Sequence, residues 1–205
     1  MISLLFGFFF GVAPQPLTST PVLVASVETR DIHQLFGEYA RDQGWSGAES
    51  KLACKVLAGP LTLCLKAEDQ GKRRYVTQAD LETWQLDEVQ AHAQAAKILE
   101  QSPWVVVQIE GGGHYFQAKT APGHESTVFL HPEWLVDLGE TPRIAAPARG
   151  VVVAWPDGDE ELDRIMAVGV RKMSDELPER LSPMVLSWNG QAWVAWGQAK
   201  TKGTK

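Results

Sequence analysis

The sequence predicts an α+β protein of two related halves, each with antiparallel strands and a covering helix. Three patterns lead to this fold class. Asn189-Gly190 between two apolar runs is typical of a tight β-hairpin. Residues 157–177 carry apolar side chains three and four positions apart, as on one face of a helix. The order hairpin, helix, hairpin occurs twice, at about 51–118 and about 143–196.

The first half is predicted to begin with a helix. Its elements are a helix at 28–42, a hairpin around Ala58-Gly59-Pro60, an Ala-rich helix at 86–101, and strands at 104–109 and 115–118. Thr77 and Asp80 have the spacing of a capping box that would begin a short helical turn. The connection to the second half contains a predicted strand at 127–130 and a short helix that begins at Pro132.

The second half places two apolar strands, RIAAPARG and VVVAW, before the amphipathic helix and a hairpin after it. A two-residue loop at Asn189-Gly190 pairs Leu186 with Trp193. We expect Trp193 to pack under the helix against Leu186 and Met166.

Composition and charge limit the class of partner. The 205 residues are 44% hydrophobic and 21% charged, as in an ordinary globular protein. The net charge of −6 and the lack of a basic patch argue against a nucleic-acid partner. We expect an unknown protein or small-molecule ligand and no cofactor. Residues 198–205 are predicted to be a disordered basic tail.

The N-terminal residues predict export. No charged side chain occurs before Glu28, and MISLLFGFFFGVA is an apolar run of signal-peptide length, too short to span a bilayer. With Val24-Ala25-Ser26 as the cleavage site, residues 1–26 are a signal peptide, 27–122 the N-terminal half and 123–197 the C-terminal half. We expect a periplasmic or cell-envelope protein with no transmembrane span in the mature chain. A cytoplasmic protein is the alternative.

Cys54 and Cys64 are predicted to form a disulfide. If Ala58-Gly59-Pro60 is a three-residue loop, the two cysteines lie directly opposite each other in the hairpin. If Gly59-Pro60 is a two-residue loop, Cys54 faces Leu65 and the bond is not expected. An exported protein with two cysteines is expected to pair them, whereas a cytosolic one would keep two buried thiols.

Candidate catalytic groups are few. His114, His124 and His131 could bind a metal ion, although they lie on different predicted elements and loop histidines without a metal are the alternative. The sequence has no Gly-x-Ser-x-Gly motif, and neither cysteine is next to a histidine that would activate it. We assign no catalytic residue and lean against an enzyme.

The eight tryptophans are the unusual feature of the composition. Trp45, Trp134, Trp155 and Trp196 could line a binding face for a sugar or peptide. Packing in the core is the alternative, because large aromatic side chains contribute much of the buried area of a fold.

Two segments, DLETWQLDEVQAHAQAAKIL and STVFLHPEWLVDLGETPRIAAPARGVVVAWPDGDEELDRI, resemble the bacterial DUF1444 (YtpQ-like) family. In the first, a short turn with Leu and Trp leads into an Ala-rich helix. In the second, a strand is followed by a Pro-x-Arg turn, an apolar strand and a C-terminal helix. The resemblance covers about residues 77–196 and implies an α+β fold. It implies no mechanism, and it favours a cytosolic location.

These observations favour an exported binding or interaction module of unknown ligand that does not catalyse a reaction. A metal-assisted hydrolase is the second hypothesis. A structural or inhibitor protein of the cell envelope is the third.

Overall fold

The computed structural model describes residues 21–69, 72–100, 104–108, 114–118 and 123–196, and for 99–100, 104–108 and 114–118 it describes the backbone alone. In this part of the chain four α-helices and two antiparallel sheets form an α+β fold, so the predicted fold class is confirmed. The apolar run before Pro21 and the predicted tail at 198–205 lie outside the described residues. None of the described helices is long and apolar enough to cross a membrane.

The first sheet is organised around one strand, β3. It contains β1 (Val22–Thr29), β2 (Cys54–Ala58), β3 (Leu61–Asp69) and β4 (Lys72–Tyr75). Strand β1 pairs along one side of β3, and β2 and β4 share the other side. The prediction of a helix from residue 28 is wrong at its start, because Glu28 belongs to β1 and helix α1 spans Ile32–Asp42.

The second sheet has six strands within the described residues. They are β5 (Trp104–Gln108), β6 (His114–Ala118), β7 (Arg143–Ala148), β8 (Val151–Trp155), β9 (Val185–Trp188) and β10 (Trp193–Ala195), in the spatial order β10-β9-β7-β8-β6-β5. The β5–β6 hairpin, predicted to belong to the first half, joins this sheet because β6 pairs with β8. The structure does not confirm the two related halves.

The remaining helices connect or cover the sheets. They are α2 (Gln78–Trp84), α3 (Glu88–Glu100) and α4 (Glu160–Glu176), with 3₁₀ helices at Gly47–Ser50, Glu125–Leu130 and Pro132–Leu138. Thr77 and Asp80 form the predicted capping box of α2. The strand predicted at 127–130 is wrong. The backbone hydrogen bonds of this segment are local, with Thr127 N–H donating to the His124 carbonyl at 2.9 Å. The segment therefore forms a 3₁₀ helix and does not join a sheet.

The main hydrophobic core lies between the two sheets. It is formed by Leu23, Ala25, Val27, Leu61, Leu63 and Leu65 of the first sheet, Ile144, Ala146, Val152, Ala154, Leu186 and Trp193 of the second, and Ala91 and Ala95 of α3. The two alanines let α3 approach the first sheet closely. On the outer faces, α1 packs Ile32 and Phe36 near Cys64, and α4 packs Leu162, Met166 and Val170 near Val153.

The final hairpin has a longer loop than predicted. Trp193 pairs with Trp188, so four residues form the loop instead of two. The Asn189 Oδ1 atom accepts bonds from the backbone N–H groups of Gln191 at 3.0 Å and Ala192 at 2.8 Å. This side-chain turn replaces the type I′ turn, which needs positive φ at both central residues. Gly190 has φ of 90°, and Asn189 is not among the residues with positive φ.

Trp193 is buried, at 5% exposure, but it does not pack against Met166 as predicted. It lies in the main core, where its ring is 5.6 Å from the Phe129 ring and its Nε1–H donates to the Phe129 carbonyl at 3.0 Å. Met166 belongs to the cluster on the other face of the sheet, because α4 covers the face that carries Val185.

The predicted disulfide between Cys54 and Cys64 is confirmed, but the hairpin reaches that register by a different route. Ala58 pairs with Leu61, so Gly59-Pro60 is a two-residue loop. A β-bulge at Leu57 then shifts the register by one residue and brings the cysteines opposite each other. In the described part of the chain no cysteine is free.

Reduction of the disulfide is expected to lower the free energy of unfolding by about 2–3 kcal/mol, since it releases a short loop in the unfolded chain. Urea unfolding with and without dithiothreitol measures this loss. A double variant, Cys54→Ala with Cys64→Ala, serves as the control and should not respond to the reductant. Two alkylatable thiols in non-reduced protein recovered from the cell envelope would contradict the bond.

Trp193→Ala is expected to lower the free energy of unfolding by about 3–5 kcal/mol, because it removes a large buried ring and leaves a cavity. Urea denaturation compares it with Val168→Ala, a control on α4 whose side chain is 63% exposed. A loss below about 1 kcal/mol would place Trp193 outside the core.

Candidate functional site

A cavity of about 270 Å³ lies on the outer face of the first sheet, where a turn from the second sheet approaches it. Strands alternate their side chains between two faces, so Leu23 and Ala25 enter the core while Val24 and Ser26 point to the cavity. The other walls come from β3, β4, Gly123 and the first turn of the 3₁₀ helix Glu125–Leu130, the β7–β8 turn at Arg149-Gly150, and Glu179.

Glu28 is the buried centre of this region, with 2% exposure. Its Oε1 accepts hydrogen bonds from Ser26 Oγ at 2.8 Å and from Lys66 Nζ at 2.9 Å. Its Oε2 accepts from Arg149 Nη2 at 2.6 Å. A carboxylate removed from water needs such partners, because an unpaired buried charge costs several kcal/mol. The Arg149 contact also joins the turn of the second sheet to the first sheet.

The charges in this cluster set the protonation of its members. Burial alone would raise the pKa of Glu28, but the positive charges of Lys66 and Arg149 together outweigh it and hold the pKa below its ordinary value. Burial raises the pKa of Tyr75, so the phenol keeps its proton. The Lys66 ammonium lies 4.5 Å from the centre of the Tyr75 ring, a cation–π contact. Because its pKa lies below the ordinary value, Glu28 is ionised at neutral pH.

Two further cations line the cavity from β4. Arg73 Nε donates to Glu68 at 2.7 Å, and Arg74 holds Asp80 through two bonds of 2.7 and 2.8 Å. The Asp80 and Glu28 carboxylates, with exposures of 7% and 2%, lie deeper than the guanidinium groups they bind.

Four basic residues and one acidic residue thus line the cavity: Lys66, Arg73, Arg74 and Arg149 against Glu179. A guanidinium presents its N–H donors in a planar fork that matches a carboxylate or phosphate. The lining therefore suits an anionic group, which charge-assisted hydrogen bonds from arginine can hold in a defined orientation.

Ser26 and Lys66 are close enough to form a catalytic pair, since Lys66 Nζ is 3.1 Å from Ser26 Oγ. A serine nucleophile needs a neighbouring base that takes its proton. Here Lys66 Nζ donates to the serine oxygen, and the Ser26 hydroxyl donates to the Glu28 carboxylate, whose lowered pKa makes it a poor base. The arrangement holds Ser26 in place and does not activate it.

The three histidines proposed as metal ligands have different surroundings. Both ring nitrogens of His131 are engaged, with Glu133 at 2.7 Å and the Ala96 carbonyl at 3.0 Å. His124 Nε2 lies 3.6 Å from Glu68, and burial lowers the pKa of this imidazole. The side chain of His114 lies outside the described residues. Among the side chains that the structure describes, no three His, Cys, Asp or Glu residues are arranged to hold a metal ion.

The four tryptophans proposed as a binding face do not share one cluster. Trp155 is wholly buried, and its Nε1–H donates to Asp163 at 2.8 Å, so it is not available to a ligand. Trp45 packs edge-on against Tyr39, with ring centres 5.6 Å apart. Trp134 stacks on the His131 ring at 3.8 Å. Trp196 lines a separate groove along α4, and Arg143 lies 5.5 Å above its ring.

Sequence reasoning missed every charged residue of the cavity. Glu28 was assigned to a helix, although Ser26 and Glu28 alternate with Ala25 and Val27 as in a strand. That alternation was the available signal for a polar outer face. The sequence around Arg149 does not indicate its role in the cavity, because its partner Glu28 lies 121 positions away in the chain.

Comparison with protein-family models, with curated proteins and with solved structures finds no match for this chain. The resemblance to the DUF1444 family stays a prediction.

Glu28→Gln is expected to lower the free energy of unfolding by about 3–5 kcal/mol, because it removes the buried carboxylate that two partly buried cations share. The stabilisation from ionised Glu28 is fully present above its ordinary pKa of 4.5 and is lost as the pH falls through the lower folded value. Below pH 4.5 the stability of the variant should therefore fall less steeply than that of the wild type.

Urea unfolding over a series of acidic and neutral pH values measures both effects. Glu161→Gln is the matched control, since Glu161 pairs with Arg164 on an exposed helix surface. Equal pH dependence in the wild type and Glu28→Gln would show that Glu28 does not carry the buried charge.

Proposed function

We propose that this protein is an exported, non-catalytic binding module that takes a small anionic ligand in the cavity between the first sheet and the β7–β8 turn. The observation that carries the proposal is the position of the charges. Arginine and lysine side chains line the cavity, while Glu28 and Asp80 lie behind them. An incoming carboxylate or phosphate would meet N–H donors first.

The disulfide supports the exported part of the proposal. Disulfides persist in oxidising compartments and are rare in the cytosol, which counts against the cytoplasmic alternative. The expected cleavage site needs adjustment. Leu23, Val24 and Ala25 are at most 2% exposed within β1, so removal of residues 1–26 would take more than half of a core strand. We place any processing site before Pro21.

A binding role fits the chemistry of the cavity better than hydrolysis. Ser26 has no base to activate it, and the described histidines do not converge with a third ligand. The cavity volume of about 270 Å³ suits a small organic anion. The ligand would be held by hydrogen bonds and charge from the arginine and lysine side chains that line the cavity.

The proposal is tested by amide NMR titration of the full chain with sodium succinate and with sodium phosphate. The backbone signals of Val24, Ser26, Lys66 and Gly150 are expected to shift and to saturate. Sodium chloride at matched ionic strength should leave them unchanged. Shifts spread over the surface, or equal shifts with chloride, would overturn the proposal.

Arg73→Gln is expected to weaken the binding of the bound probe about tenfold, because it removes charge-assisted donors from the cavity wall. Arg164→Gln removes the same charge from the exposed surface of α4 and should bind as the wild type does. If Arg73→Gln and Arg164→Gln bind succinate equally well, and also bind phosphate equally well, the cavity is not the anion site.

A further inference from the structure

Arg149 is bound by two carboxylates of very different character. The Glu28 contact is buried and short, at 2.6 Å to Nη2. The Glu179 contact is long, at 3.5 Å to Nη1, and the Glu179 side chain is 49% exposed. The first contact belongs to the interior of the fold. The second is an ion pair at the cavity mouth, of a kind that solvent weakens strongly.

The backbone holds Glu179 in this position. Glu179 has φ of 54°, a left-handed conformation that is uncommon outside glycine. Its carbonyl accepts a hydrogen bond from the Arg149 N–H at 3.0 Å, and Leu181 N–H donates to the Pro147 carbonyl at 2.9 Å. The segment after α4 is thus pinned along the β7–β8 turn, and the Glu179 side chain is directed to the guanidinium of the same residue that binds its backbone.

We propose that Glu179 occupies the anion subsite of the cavity as an internal competitor, and that the ligand bears a carboxylate which takes its place on Arg149. This inference rests on the proposed function. The site already accommodates a carboxylate on Nη1, and the guanidinium fork matches the planar geometry of that group. Displacement costs little, because Glu179 is half-exposed and water solvates its carboxylate once it is released.

The internal competitor also sets specificity. A ligand must bind Arg149 better than Glu179 does, so weak anions such as chloride do not displace it. A carboxylate ligand that also reaches Lys66 or Arg73, which line the same cavity, gains a second charge-assisted contact. The ligand class that follows is a small organic acid with two anionic or polar ends.

The test uses two substitutions at Glu179 in the full chain, with succinate as the probe. Glu179→Gln removes the competing charge, and Glu179→Asp keeps the charge but shortens the side chain so that it no longer reaches Nη1. Both variants are expected to bind succinate about fivefold more tightly than the wild type. Aspartate also tolerates left-handed backbone, so Glu179→Asp should fold normally.

Glu176→Gln is the matched control, because it removes one negative charge three positions away on α4, where Glu176 faces Lys172 at 4.0 Å. Its succinate affinity should equal that of the wild type. A gain in Glu176→Gln as large as in Glu179→Gln, or no gain in Glu179→Asp, would overturn the inference in favour of a general charge effect. An equal gain for phosphate would overturn the carboxylate class.

The outcomes separate this inference from the proposed function. If succinate binds in an Arg73-dependent way but neither Glu179 variant changes its affinity, the internal competitor is refuted and the anion site stands. If neither succinate nor phosphate gives saturable shifts in the wild type and in both Glu179 variants, the anion site itself is refuted.

Discussion

The buried carboxylate of Glu28 is the constraint on which this structure depends. It lies on the outer face of a core strand, away from water, and its charge has to be balanced where it stands. Lys66 reaches it from β3 within the same sheet, and Arg149 reaches it from the β7–β8 turn of the other sheet. Hydrophobic packing between the two sheets is non-directional, whereas this ionic contact fixes where the turn meets the first sheet.

The cavity follows from the same arrangement. An antiparallel strand with one apolar face and one polar face presents its polar side chains together, and here the turn at Arg149-Gly150 covers part of that polar face without filling it. Four basic side chains line this surface with one acid, Glu179, because Glu28 and Asp80 lie deeper than the cations that they bind. The same pairing leaves Ser26 without an effective base, since its hydroxyl donates to Glu28, whose lowered pKa makes it a poor proton acceptor.

Local patterns predicted much of the fold and little of the site. The amphipathic pattern at 157–177 predicts α4, the Thr77–Asp80 spacing predicts the capping box of α2, and the predicted cysteine pair is bonded. The failures concern contacts that local spacing does not encode. Strand β6 pairs with β8 across the predicted boundary, Asn189 uses its side chain to extend a loop, and Arg149 finds a distant partner. Long-range pairing depends on the whole fold, so periodicity in one segment cannot predict it.

The bulge at Leu57 has a consequence for how this hairpin can change in evolution. With a regular two-residue loop, directly opposed residues are separated by an odd number of positions, as Ala58 and Leu61 are. Cys54 and Cys64 are separated by 10, an even number, and the one unpaired residue at Leu57 makes up the difference. Loss of the bulge residue would keep the cysteines opposed at a spacing shorter by one. A single insertion elsewhere in the hairpin would separate them, so lineages that retain the crosslink should change hairpin length in compensated steps.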